Sequence, residues 1–201
     1  VEHRVVLVDG PGVVSRAAKR FDLLRVVAEN EDVFSADLIA LIEHLNLGPT
    51  HYVGLSMGGM IGFQLGVDQP QLLKSLCIVN SAPEVKLRSR DDYWQWFKRW
   101  SLMRVLSLGT IGKALGGKLF PKPEQADLRQ KMAERWAKND KHAYLASFDA
   151  IVGWGVQERL SKVSCPTLIV SADHDYTPVS LKEAYVKQIA RARLVDRKSV
   201  V

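Results

Sequence analysis

Apolar residues change their spacing several times along the chain, and the changes divide it into short elements. Val5 to Val8 are apolar in succession, so Arg4 to Val8 reads as a strand buried on both faces, closed by the turn Asp9-Gly10-Pro11-Gly12. From Val33 to Leu45 apolar positions recur at helical spacing, with Leu47-Gly48-Pro49 as the stop. A strand follows over Tyr52 to Leu55, a helix from about Met57 to Val67 ending near Pro70, and a strand over Ser75 to Asn80. Residues 81–165 read as mainly helical. Pro166 to Val170 then gives another strand, Leu181 to Ala190 a helix, and Arg193 to Val195 the start of a last strand. Short strands separated by helices predict an α/β fold, a mostly parallel sheet with crossover helices.

The stretch THYVGLSMGGMIGF, residues 50–63, places one serine between two glycines at the junction of a strand and a helix. In a Gly-x-Ser-x-Gly turn the chain reverses so sharply that the serine backbone is strained, and Gly54 and Gly58 are expected to leave room for the approach. The turn would lift the Ser56 hydroxyl above the carboxyl edge of the sheet. The following helix would aim its unsatisfied N–H groups at the same spot, Met57 N–H first, where an oxyanion could form. Gly59 would let the helix pack closely on neighbouring backbone.

Composition narrows the class. With 201 residues, 47% of them apolar, the chain can bury a substantial core. No apolar run approaches the roughly 18 residues of a membrane span, and no charged-then-apolar leader opens the chain. The two cysteines, Cys77 and Cys165, sit in strand-like apolar surroundings and are expected as buried free thiols, which favours a reducing, cytoplasmic setting. A formal charge of +6 is spread among acidic residues, with a local excess only between Lys86 and Arg104. No recognition module accompanies it, so a solvated basic face is expected rather than nucleic-acid binding. No nucleotide, flavin or metal signature competes. Gly109 to Lys113 lacks the spacing of a phosphate loop, and the residues of Asp173-His174-Asp175 would point alternately to opposite sides of an extended chain, so neither cofactor nor metal is expected.

VVLVDGPG, GLSMGG and CPTLIVSADHDYTPV together resemble the α/β-hydrolase family, over most of the chain. The SMGG form of the nucleophile elbow resembles the esterase, lactonase, haloperoxidase and carbon–carbon hydrolase branches; Ser56 argues against the branches with an aspartate nucleophile. The resemblance implies a catalytic triad with Ser56 as nucleophile. It also implies that Asp175, which precedes Pro178 at the family's spacing, is the acid that orients the histidine, leaving Asp173 a loop residue. Residues 1–83 and 158–201 would form the core, and 84–157 a helical cap domain. Tyr93, Trp96, Phe97 and Trp100 share one helical face in that insertion. Trp96 and Trp100 are the candidate substrate contacts, with Trp136 and Trp154 as possible additions. An apolar cap favours acyl or aryl groups over sugars.

The family order is serine, acid, histidine, yet none of the five histidines, His3, His44, His51, His142 and His174, follows Asp175. His142, in the insertion, is the first substitute. The chain also opens and closes inside strand-like runs, and nothing before Arg4 matches the loop that carries the family's second oxyanion donor. The expectation is therefore a fold incomplete at both ends, with a further gap near Val13 to Arg25 and little activity in the 201-residue chain. The resemblance implies a serine esterase or lactonase working through an acyl-enzyme on a small ester or lactone with an apolar part, with no cofactor. The alternatives are a carbon–carbon hydrolase or cofactor-free haloperoxidase of the same family, or a ligand-binding protein that keeps the fold without the chemistry. Oligomeric state is open.

Overall fold

A computed structural model describes residues 33–172 and 177–197. The expected strand Arg4 to Val8 and the stretch Val13 to Arg25 lie outside the described residues. These fall into two compact units, one built from 33–86 with the described residues after 152, the other from 87–152.

The first unit holds a parallel sheet, β1 (Thr50–Leu55), β2 (Leu73–Val79), β3 (Thr167–Ala172) and β4 (Ala192–Arg197), in that spatial order. In register, Gly54 stands beside Ile78, Ile78 beside Ile169, and Ile169 beside Leu194. This row looks into the core. Helices α1 (Val33–His44), α2 (Met57–Asp68) and, before β4, α7 (Val179–Val186) supply Ile42, Phe63, Leu65 and Tyr185 to the same apolar cluster as Leu76, Ile78 and Ile169. Leu160 and Val163, from a 3-10 turn over Gln157–Lys162 and the residue after it, complete the cluster. The alternate row is open, with Val53 72% and Leu55 64% exposed. α1 stops earlier than its Gly-Pro signal. Asn46 takes a positive φ of 48°, and Leu47 N–H reaches back to Ile42 O at 3.2 Å while Asn46 N–H bonds Glu43 O at 3.0 Å, closing the helix one residue before the expected end. α7 begins two residues before the expected start, because Pro178, at φ −64°, already holds the conformation that leads into its first turn.

The second unit is helical: α3 (Arg90–Val105), α4 (Leu108–Leu119), α5 (Ala126–Ala137) and α6 (Lys141–Ala150). Side-chain caps start three of these four helices, from Ser89, Ser107 and Asp140. Ser89 Oγ accepts from Asp92 N–H at 3.1 Å, and Asp92 accepts from Ser89 N–H at 2.8 Å; hydrogen bonds from the Ser89 and Arg88 backbone hold the Asp92 carboxyl below its usual range. Lys141 Nζ donates to the carbonyls of Arg104 and Leu106 at 2.7 and 2.9 Å, satisfying the end of α3. Met103, Leu108 and Ile111 make a small core with Trp136, Tyr144 and Phe148. Gly109 to Lys113 lie within α4, as a helix and not a phosphate loop.

Cys77 and Cys165 are free thiols, and burial raises the pKa of both. Among the described residues, no helix is long and apolar enough to cross a membrane.

Ile169 is 0% exposed at the centre of the sheet. Ile169→Ala is expected to lower unfolding free energy by about 2–5 kcal/mol in urea titration. A change below about 1 kcal/mol would mean that this core is not the one the protein uses.

Candidate active site

Strand β1 ends at Leu55 and helix α2 begins at Met57, so Ser56 alone makes the turn between them. Its backbone sits at φ 53°, ψ −119°, a region that residues with a side chain seldom occupy. Three hydrogen bonds hold the Ser56 carbonyl: Gly59 N–H at 2.8 Å, Met60 N–H at 3.2 Å and the Ser81 hydroxyl at 2.7 Å. Its own N–H donates to Val79 O at 3.0 Å. The hydroxyl makes no capping bond to the helix and the residue is exposed, so it is presented outward at the carboxyl edge of the sheet. Met57, as the first residue of α2, has an N–H that the helix cannot satisfy internally.

The glycines divide the work differently from the expectation. A methyl group on Gly54 would stand 2.3 Å from Gly58 O and 2.8 Å from Gly59 N, so α2 can close on β1 only because that carbon is missing. On Gly59 it would meet Ser81 Cβ at 2.5 Å, and on Gly62 the Tyr52 ring at 2.6 Å. Gly58 differs, since a methyl there would find only Tyr52 Oη, at 4.0 Å. It is the carbonyl of Gly58, not the space at its Cα, that faces Gly54; that carbonyl also accepts from the Tyr52 hydroxyl at 2.7 Å. Of the close approaches expected at 54, 58 and 59, those at Gly54 and Gly59 are present, the latter against the Ser81 side chain and not backbone; none is present at Gly58, and Gly62 adds one.

On the far side of β2, the last described residue of β3, Ala172, donates its N–H to Asn80 Oδ1 at 2.9 Å. The carboxyl end of β3 therefore lies at the same edge of the sheet as Ser56, two strands away, a separation of about 10 Å at ordinary strand spacing. Asp173, His174 and Asp175 lie outside the described residues, as does His3.

The family profile described as "Alpha/beta hydrolase family" matches residues 1–200. The chain belongs to the alpha/beta hydrolase family. Among curated α/β-hydrolase relatives, 3-oxoadipate enol-lactonase 2 of Acinetobacter baylyi is 23% identical over 147 residues, covering 72% of this chain and 53% of that protein. Karrikin insensitive 2 receptor IA of Petunia hybrida is 23% identical over 193 residues, covering 93% of this chain and 69% of the receptor. The crystal structure of the enol-lactonase from Burkholderia xenovorans LB400 superposes with a TM-score of 0.73 at 18% identity, over 84% of this chain and 64% of that one, which shows a shared fold. The chain spans about half the length of the two Acinetobacter enol-lactonases it matches, 53% and 52%.

Neither described histidine of the sheet unit stands at the α/β-hydrolase turn. His44 is exposed at the end of α1, and His51, at the opposite end of β1 from Ser56, pairs its Nδ1 with Ser75 Oγ at 2.8 Å. His142 is exposed on α6, in the helical unit. The aromatic residues of α3 form a ladder: Trp94 stacks on Phe97, Phe97 on Trp100, and Trp96 lies 6.0 Å from Trp100. Trp100 has structural partners already, with its N–H on Asp149 at 3.1 Å and Arg104 over its face at 3.9 Å. Trp96 Nε1 is buried without an acceptor among the described residues. Tyr93 and Phe97, at 59% and 49%, are exposed. Trp154 corrects the expectation: it is 5% exposed in the core of the sheet unit, its N–H donated to Gln64 Oε1 at 2.9 Å. Its apolar spacing carried no information about which core it would enter. Trp136 packs against Tyr144, 5.4 Å away.

Two measurements examine this geometry. Gly59→Ala is expected to destabilise the protein by about 1–3 kcal/mol through overpacking, whereas Gly58→Ala, in a helical turn with open space, should be neutral or stabilising by up to about 1 kcal/mol. Equal effects in thermal denaturation would contradict the division of roles. For Tyr52, burial pushes the phenol up to about 12. An unfolded tyrosine ionises near ~10, so between these values the unfolded chain has released a proton that the folded chain retains. Stability is then full below about pH 10 and falls as pH rises toward 12. Tyr52→Phe should lose about 1 kcal/mol near neutrality with the Gly58 hydrogen bond, yet show a flatter alkaline decline. An unchanged alkaline decline would assign it to other groups.

Proposed function

We propose that this chain carries the nucleophile of a serine hydrolase acting on a small carboxylic ester or lactone with an apolar part. The observation that carries the proposal is the Ser56 turn: a positive φ between strand and helix, with the hydroxyl unused in capping. Ser56 Oγ bonds to the substrate carbonyl carbon while its proton passes to a histidine base, and Met57 N–H donates to the oxygen that becomes negative. The carbon–oxygen bond to the leaving alcohol then breaks as the base returns the proton to it, giving an acyl-enzyme; water repeats the sequence and frees the acid. Asp175 orients the imidazole and stabilises its charged form. The helical insertion serves as a cap whose Trp96 and Trp100 meet the apolar part of the substrate. Enol-lactonase and esterase relatives support this chemistry by analogy.

A second reading has its own support. No described histidine of the sheet unit stands beside Ser56, and one relative bears the name of a receptor, which favours a binding protein that retains the fold. The complete gene product decides between the two. Hydrolysis of p-nitrophenyl butyrate is expected, with kcat reduced by at least about 10³-fold in Ser56→Ala. Ligand binding without ester turnover, or turnover undiminished in Ser56→Ala, would favour the second reading.

A further inference from the structure

The chain leaving β2 touches both of its neighbouring strands within three residues. Val79 O accepts the Ser56 N–H at 3.0 Å, and the Ser81 hydroxyl donates to Ser56 O at 2.7 Å, so both backbone polar groups of Ser56 are held from this side. Between those residues, Asn80 turns the other way. Its N–H donates to Val170 O at 2.9 Å, and its side-chain Oδ1 accepts from Ala172 N–H at 2.9 Å. Asn80 does so at φ 45°, a left-handed conformation that asparagine tolerates better than most residues. Behind it the Tyr185 hydroxyl, fully buried, donates to Ser81 O at 3.1 Å. Asn80 and Ser56 are two of three non-glycine residues with positive φ among those described, and each directly follows one of two adjacent strands, at one edge.

We propose that Asn80 and Ser81 are positioning residues, which fix the Ser56 turn against the carboxyl end of β3 so that groups carried by the two strands keep a constant separation. The inference rests on the reading of Ser56 as nucleophile. Its chemistry is specific to these side chains. The site of Asn80 requires both tolerance of positive φ and an acceptor at the right reach; glycine offers the first alone, aspartate offers both. Ser81 supplies a donor to a carbonyl that already holds two helix N–H groups, so removing it leaves no orphaned polar atom. The hydroxyl therefore affects the orientation of the turn more than its existence. Misplacement by a fraction of an ångström lowers the rate of a positioned reaction without weakening binding to the same degree.

The test uses the complete gene product, p-nitrophenyl butyrate turnover and thermal unfolding of every variant. Asn80→Gly and Ser81→Ala are each expected to lower kcat by about 10- to 100-fold with KM within about two-fold, in protein that remains folded at the assay temperature. The double variant should lose clearly less than the product of the two single losses, because the residues act through one element. Asn80→Asp should restore kcat to within about three-fold of wild type by supplying the acceptor again. Ser81→Ala stands on its own if Asn80→Gly fails to fold. Single variants with undiminished kcat on an active wild type, a loss residing in KM, or Asn80→Asp no better than Asn80→Gly would overturn the inference alone. A wild type without Ser56-dependent turnover would overturn the reading of Ser56 and this inference with it.

Discussion

At Gly54 the chain comes so near the first turn of α2 that a single added carbon would lie 2.3 Å from a backbone oxygen, and at Gly59 one would lie 2.5 Å from the Ser81 side chain. This double approach is the constraint on which the site depends. It lets strand and helix meet with one residue between them, and that residue must then take the positive φ seen at Ser56. Strain of this kind persists only where surrounding bonds hold it. Here they are the Val79 carbonyl, the Ser81 hydroxyl and the first amides of the helix.

The parallel order of the sheet turns this local constraint into an arrangement. Because all four described strands run the same way, their carboxyl ends share one edge, and Ser56, Asn80 and Ala172 come together from positions far apart in sequence. The core packs against one face of the same strands, through Leu76, Ile78 and Ile169. Packing fixes the strands, and the polar contacts at their ends fix the turn. The helical unit is organised differently, around a small core, with many of its larger aromatic side chains stacked on one another along α3.

Much of the fold could be read from the chain. The strand into Ser56, the helix out of it, the β2 and β3 runs and the mainly helical insertion all follow from hydrophobic spacing and the positions of glycine and proline, because those signals are local. The Ser56 turn was legible for the same reason, since strand, glycine, serine, glycine and helix are contiguous. What was not legible depends on contacts across the fold. Gly58 and Gly59 are chemically identical, and only the placement of Ser81 beside one of them separates their roles. Asn80 and Ser81 have no spacing that marks them, as their partners come from a preceding turn and from a strand beyond the insertion. Trp154 could be recognised as apolar but not assigned to a core, because the chain returns to the sheet just before it.

A joint with no free volume has no intermediate settings. At Gly54 the added atom would strike backbone and at Gly62 the Tyr52 ring, so almost any substitution should act as a switch rather than a graded adjustment. In a saturation library, these positions would report loss of folding regardless of which substrate is offered, while the rank order of variants elsewhere would change with the assay. They offer built-in reference points for separating damage to the scaffold from damage to the chemistry.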